Sequence, residues 1–192
     1  LPQIYSLSIE NMKQKIADII ELGYTKEEVI KMTKALPQIY SLSIENMKQK
    51  ITDIMELGYT KEEVIKMTKA SPAIYNYSIE NMKQKIADIM DLGYTKEEVI
   101  KMTKALPSIY GLSIENMKQK IADIMDLGYT REEVIKITKT FPSIYSYSIE
   151  NMKQKIADVM DLGYTKEEVI KMTKTLPQIY SLSIENMKQK IA

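Results

Sequence analysis

The chain contains no cysteine, no histidine and no tryptophan, and it has a single arginine, Arg131, and a single phenylalanine, Phe141. Without thiols or imidazoles there is no disulfide, no Cys/His zinc site, no thiol nucleophile and no histidine-based triad. A surplus of charge is also missing: 27 Lys and Arg stand against 26 Asp and Glu, for a net charge of +1. Bulk charge therefore cannot draw phosphate to this chain, and a phosphate-binding surface would need its charges segregated in space. No apolar run approaches the length of a membrane span. Metal, cofactor and membrane are accordingly not expected. A cysteine-free chain fits an intracellular setting, with the compartment left open.

What is present is one unit, written again and again. It begins at Leu1-Pro2, Leu36-Pro37, Ser71-Pro72, Leu106-Pro107, Phe141-Pro142 and Leu176-Pro177, each start 35 residues after the last. A period in this range marks a repeat architecture. The reading is one array over residues 1–192, made of repeats 1–35, 36–70, 71–105, 106–140, 141–175 and a partial copy 176–192. The chain starts without Met and stops inside a helical pattern, as a piece of a longer protein would.

The first copy shows how a unit should fold. Ser8 precedes a stretch in which Ile9, Met12, Ile16, Ile19 and Ile20 share one helical stripe, with Glu10, Gln14, Asp18 and Glu21 opposite. Gly23 can take the left-handed conformation that ends a helix, which places the first helix at about residues 8–22. Thr25-Lys26-Glu27-Glu28 is a capping box for a second helix, whose inner face carries Val29, Ile30, Met32 and Thr33. Pro37 stops that helix, because the residue before proline avoids helical geometry. Residues 37–42 suit a single 3₁₀ turn with Ile39 and Tyr40 tucked under neighbouring helices. The expected fold is an all-α superhelical solenoid of 35-residue helix-turn-helix units with a short proline-led 3₁₀ turn, its hand left open.

The order of these features resembles the mitochondrial transcription termination factor (mTERF) repeat. In the second copy the residues that carry the resemblance are Pro37, Ser43, Glu45, Lys48, Lys50, Leu57, Gly58, Glu62, Glu63 and Val64, and each recurs along the chain. The resemblance implies an array of two α-helices and a 3₁₀ turn that binds double-stranded DNA or structured RNA through basic side chains. The pentatricopeptide repeat has the same length, but its proline lies elsewhere in the unit. Unlike natural mTERF proteins, this chain has nearly identical copies and lysine where arginine is common. Near-identity is equally compatible with recent duplication and with an engineered consensus array.

Repetition turns each side chain into a ladder. Lys31, Lys66, Lys101, Lys136 and Lys171 form one, and Lys34, Lys69, Lys104, Lys139 and Lys174 another. The two lie about 60° apart on the second helix. Ammonium groups spaced by helix packing, roughly 10 Å apart, could track a phosphate backbone. Taken alone, such ladders read as solvated faces; the mTERF resemblance turns the reading towards nucleic acid, with duplex DNA favoured over RNA. A protein-interaction scaffold is the alternative. Every carboxylate recurs in each copy, so no unique catalytic constellation exists and no enzyme is expected.

Differences between copies gather at the proline turn. Its third position reads Gln3, Gln38, Ala73, Ser108, Ser143 and Gln178; its sixth reads Ser6, Ser41, Asn76, Gly111, Ser146 and Ser181; its seventh is Leu or Tyr. Tolerance of change in exposed turns is the preferred reading. The sharper one is a contact surface whose specificity varies along the array. Met12, Met32, Met47 and Met67 read as core filler. Tyr5 and Tyr24 could stack on bases; the preferred reading packs them between repeats with the hydroxyl at the surface. The ends lack polar capping repeats, so head-to-tail self-association is expected, with Ile184, Met187 and Ile191 covering the fifth repeat.

Overall fold

A computed structural model describes residues 8–185. Within it each copy is a pair of helices followed by a 3₁₀ turn. The pairs are α1 (Ile9–Glu21) and α2 (Lys26–Ala35), α3 (Ile44–Glu56) and α4 (Lys61–Ala70), α5 (Ile79–Met90) and α6 (Lys96–Ala105), α7 (Ile114–Met125) and α8 (Arg131–Thr140), α9 (Ile149–Met160) and α10 (Lys166–Thr175). The 3₁₀ turns are Pro37–Ser41, Pro72–Asn76, Pro107–Gly111, Pro142–Ser146 and Pro177–Ser181. The chain is an all-α solenoid of helix-turn-helix repeats. Its contacts group it into two compact units. One runs up to Ala87 and takes in Leu106–Tyr110; the other holds Asp88–Ala105 and the chain from Gly111 onward.

The local signals act where the sequence puts them. Ser8 caps α1 by accepting a hydrogen bond from the Asn11 amide at 3.1 Å. The Gly23 φ of +116° lies in a region that L side chains rarely adopt, and it turns the chain sharply between α1 and α2. At the start of α2 the Glu28 amide donates to the Thr25 hydroxyl at 3.3 Å, and the Glu28 carboxylate accepts from the Thr25 amide at 2.8 Å. The same reciprocal pair opens α4, α8 and α10. At the far end Leu36 leaves helical geometry with φ −136° and ψ 83°, as its place before Pro37 requires.

Stacking buries the stripes. Ile19, Val29, Ile39, Met47, Ile54 and Met67 are all 1% exposed or less. Burying such a side chain stabilises by about 1.5–3 kcal/mol, so no helix needs to be stable alone. Met32, Met47 and Met67 are core, as expected, and Met12 is half-buried. Three positions depart from the expected stripes, the first being Ile9, which is 72% exposed at the start of α1. Ile20 is 37% exposed, and its equivalents Met55, Met90, Met125 and Met160 are similar. Ile19 holds the centre of the stripe, and one residue on, about 100° round, falls at its edge. Ile30 is 37% exposed although Ile65, Ile100 and Ile170 are buried. The equivalent Ile135 is half-buried. Of the residues expected to cover the fifth repeat, Ile184 is half-buried; Met187 and Ile191 lie outside the described residues, as does Tyr5.

Candidate nucleic-acid interface

The first lysine ladder is open. Lys31, Lys66, Lys101, Lys136 and Lys171 are all exposed on the second helices, and none takes part in an ion pair among the described residues. They present one uncommitted ammonium group per copy.

The second ladder is different. Lys69 pairs with Glu28 at 2.8 Å, Lys139 with Glu98 at 2.8 Å and Lys174 with Glu133 at 2.7 Å. Each lysine thus reaches back to the capping-box glutamate of the copy before it. Lys104 is half-buried and also has an interaction, while Lys34 is exposed. Lys174 additionally sits 5.9 Å from the centre of the Tyr129 ring. So the carboxylate that caps one helix also neutralises the lysine of the next.

These glutamates titrate abnormally. The Lys69 ammonium, then the Thr25 amide, holds the Glu28 carboxyl below the ordinary carboxylate range. Lys139 and Thr95 act likewise on Glu98, and Lys174 and Thr130 on Glu133. Folding lowers these pKa values, so their contribution to stability is present above the unfolded carboxylate pKa and is lost as pH falls through the folded one. The thermal midpoint is expected to fall on acidification below about pH 4.3, the unperturbed glutamate value. A Glu28→Gln, Glu98→Gln, Glu133→Gln variant should show a smaller fall in the same circular-dichroism melts.

Lysines of the first helices are structural at one position. Lys50 donates to the Tyr77 carbonyl at 2.6 Å, Lys120 to the Tyr147 carbonyl at 2.5 Å and Lys155 to the Leu182 carbonyl at 2.7 Å, and Lys15 bonds the Leu42 carbonyl in the same way. Each ties a first helix to the end of the next proline turn. The one arginine is also engaged, as Arg131 donates to the Leu92 carbonyl at 2.8 Å. It closes a helix end and is not held free for a bidentate phosphate contact.

Tyr24 does not hold its hydroxyl at the surface. The residue is 2% exposed, and its oxygen lies 2.6 Å from the Thr68 hydroxyl and 2.7 Å from that of Tyr75. Thr68 has one proton and gives it to the Val64 carbonyl at 2.8 Å. Tyr24 must therefore donate to Thr68, and Tyr75 to Tyr24. The relay recurs as Tyr94, Thr138 and Tyr145, and as Tyr129, Thr173 and Tyr180. Tyr59 meets Tyr110 at 2.6 Å in the same way. Burial pushes the phenols of Tyr24, Tyr75, Tyr94, Tyr129, Tyr145 and Tyr180 above their usual pKa. No buried side-chain nitrogen or oxygen among the described residues is left without a partner. This tyrosine is structural, and it is not available to stack on bases.

At the proline turn the sixth position is exposed throughout, at Ser41, Asn76, Gly111 and Ser146. The third is exposed at Gln38 and Ser108 and half-buried at Ala73 and Ser143. The seventh is tied to packing: Tyr147 stacks on Phe141 with ring centres 5.9 Å apart. Among the described residues no group of three or more acidic side chains could hold a metal, and no helix is long and apolar enough to cross a membrane.

Capped helix pairs joined by proline-led 3₁₀ turns, one pair per 35-residue copy, define the class: a helical-repeat protein. The sequence matches the mTERF family over residues 1–91, 54–127 and 89–192, so every part of the chain is covered and the chain belongs to that family. Proteins of the family are in general nucleic-acid-binding repeat proteins without enzymatic activity. No curated protein matches the chain.

Proposed function

We propose that this chain binds double-stranded DNA through phosphate contacts made by Lys31, Lys66, Lys101, Lys136 and Lys171, as one continuous array. The observation that carries the reading is that these five lysines are exposed, unpaired and placed once per copy on the same helix face. Lys34 adds a sixth ammonium group. Lys69, Lys139 and Lys174 contribute only by exchanging their glutamates for phosphate. Family membership supports the nucleic-acid class; uniform spacing of single charges, with no free arginine fork, suits a regular backbone read without base contacts. The chain acts as a binding protein and not an enzyme, within the cell; family members typically work in organelles. Head-to-tail self-association belongs to the same reading, supported by the exposure of Ile9 at 72% and Leu176 at 49%.

The test is the salt dependence of binding. Each neutralised phosphate on duplex DNA contributes about −0.9 to the slope of log affinity against log salt. The open ladder with Lys34 predicts a slope of about −5, whereas all ten lysines would give about −9. Replacing Lys66, Lys101 and Lys136 by alanine should flatten the slope to about −3 and weaken binding to duplex DNA more than to duplex RNA. Equal binding by the variant, or no salt-sensitive binding by the wild type, sinks the ladder.

A further inference from the structure

All the sulfur in this chain is thioether. There are 14 methionines and no cysteine, so a two-electron oxidant meets methionine first. The described methionines divide sharply by exposure. Seven, Met47 and Met117 among them, are 1% exposed or less. Four others, Met55, Met90, Met125 and Met160, are 38–40% exposed. Met12 and Met172 are half-buried. The exposed four share one place in the unit, the C-terminal end of α3, α5, α7 and α9.

That place does not require a thioether for packing. The first copy carries Ile20 there, 37% exposed at the same end of its helix. Each exposed methionine is followed by an exposed carboxylate, Glu56, Asp91, Asp126 or Asp161. An anionic oxidant is repelled by these charges, whereas an uncharged peroxide is not. Oxidation turns an apolar side chain into a polar one, which disrupts a core. At a position already in contact with water the same change leaves the packing in place.

We propose that Met55, Met90, Met125 and Met160 form a reversible oxidation site that consumes hydrogen peroxide while the fold stays intact. A sulfur lone pair attacks one peroxide oxygen and the O–O bond breaks. The proton of the transferred hydroxyl passes to the departing hydroxide, leaving sulfoxide and water. Sulfur is oxidised by two electrons, and the peroxide is reduced by the same two. A thiol-dependent sulfoxide reductase reverses the step: two thiols become a disulfide and the sulfoxide oxygen leaves as water. The buried methionines are shielded, because their sulfur is reached only through local opening. The site uses none of the ladder lysines, so it stands apart from the DNA reading.

The test treats the intact chain with hydrogen peroxide and follows its tryptic peptides by mass spectrometry. The four sites fall in peptides of different sequence, residues 51–61, 86–96, 121–131 and 156–166. Each should gain one oxygen at least about tenfold faster than the peptides holding Met47 or Met117. The chain oxidised at these four sites should keep its circular-dichroism melting midpoint. Methionine sulfoxide reductases for both sulfoxide epimers, supplied with dithiothreitol, should then remove the added oxygens. A Met55→Ile, Met90→Ile, Met125→Ile, Met160→Ile variant repeats the arrangement found at Ile20. It should fold as the wild type does and lose most of the fast peroxide consumption. The proposal is overturned if Met47 and Met117 oxidise as fast as the four, or if the chain oxidised at the four melts earlier. It is also overturned if the reductases leave the sulfoxides in place, or if the isoleucine variant consumes peroxide at the wild-type rate. Failure of the lysine-ladder test leaves these outcomes untouched.

Discussion

Replacing Tyr94 by alanine is expected to destabilise the unit that holds it by about 3–5 kcal/mol, the range for deleting a buried aromatic side chain. Tyr94 is 3% exposed, and its hydroxyl lies 2.5 Å from that of Thr138 and 2.7 Å from that of Tyr145. The alanine variant loses the ring and strands both partners. Tyr94→Phe separates the two losses: it keeps the ring and removes only the middle of the relay, at a cost of about 1–3 kcal/mol. Tyr164 is the internal control. It occupies the same place in the fifth copy but is half-buried, and its hydroxyl has no partner among the described residues. Tyr164→Phe should leave stability almost unchanged. Urea unfolding followed by circular dichroism would measure all three. Equal losses for Tyr94→Phe and Tyr164→Phe would show that the buried relay contributes nothing of its own.

The second large effect has the opposite sign. Replacing Glu28, Glu98 and Glu133 by glutamine should strengthen DNA binding at low salt and steepen its salt slope by about 2.7, roughly 0.9 for each lysine released. Glutamine can still return a hydrogen bond to the capping amide, so the helix starts survive. What disappears is the charge that holds Lys69, Lys139 and Lys174 at 2.7–2.8 Å. The variant therefore asks whether the second ladder faces the same phosphate path as the first. A slope no steeper than wild type would mean that it does not, or that these lysines already exchange freely. Competition titrations with duplex DNA across a salt series would decide it.

The local half of this structure can be read from the chain because its causes are local. Ser8, Gly23, Thr25, Glu28 and Pro37 act within a few residues of themselves, and each does in the structure what its chemistry dictates. The interactions that reshape the site are of another kind. Lys69 finds Glu28 across 41 residues, Lys50 finds the Tyr77 carbonyl across 27, and Tyr24 finds Thr68 and Tyr75 across 44 and 51. These depend on how one copy stacks on another, which periodicity alone does not determine. The two lysine ladders look alike in sequence, and only packing separates the committed from the open one. One signal was available for Tyr24. A tyrosine and a threonine repeated in step, each on or beside an apolar stripe, imply hydroxyls that must satisfy each other once buried.

The relay has a consequence for how such a chain can change in length. The phenol of one copy is answered by a threonine in the next and by a tyrosine at the turn after that, and all copies supply the same partners. Deleting or duplicating one block of 35 residues rejoins equivalent neighbours at the seam. The hydroxyl relay, the capping glutamate and its lysine would all find their counterparts again. Unequal recombination between near-identical copies would thus yield folded proteins of different lengths. Each added copy would bring one more exposed lysine of the first ladder, so on the proposed reading the footprint on a duplex would grow in equal increments while the chemistry of every step stayed the same.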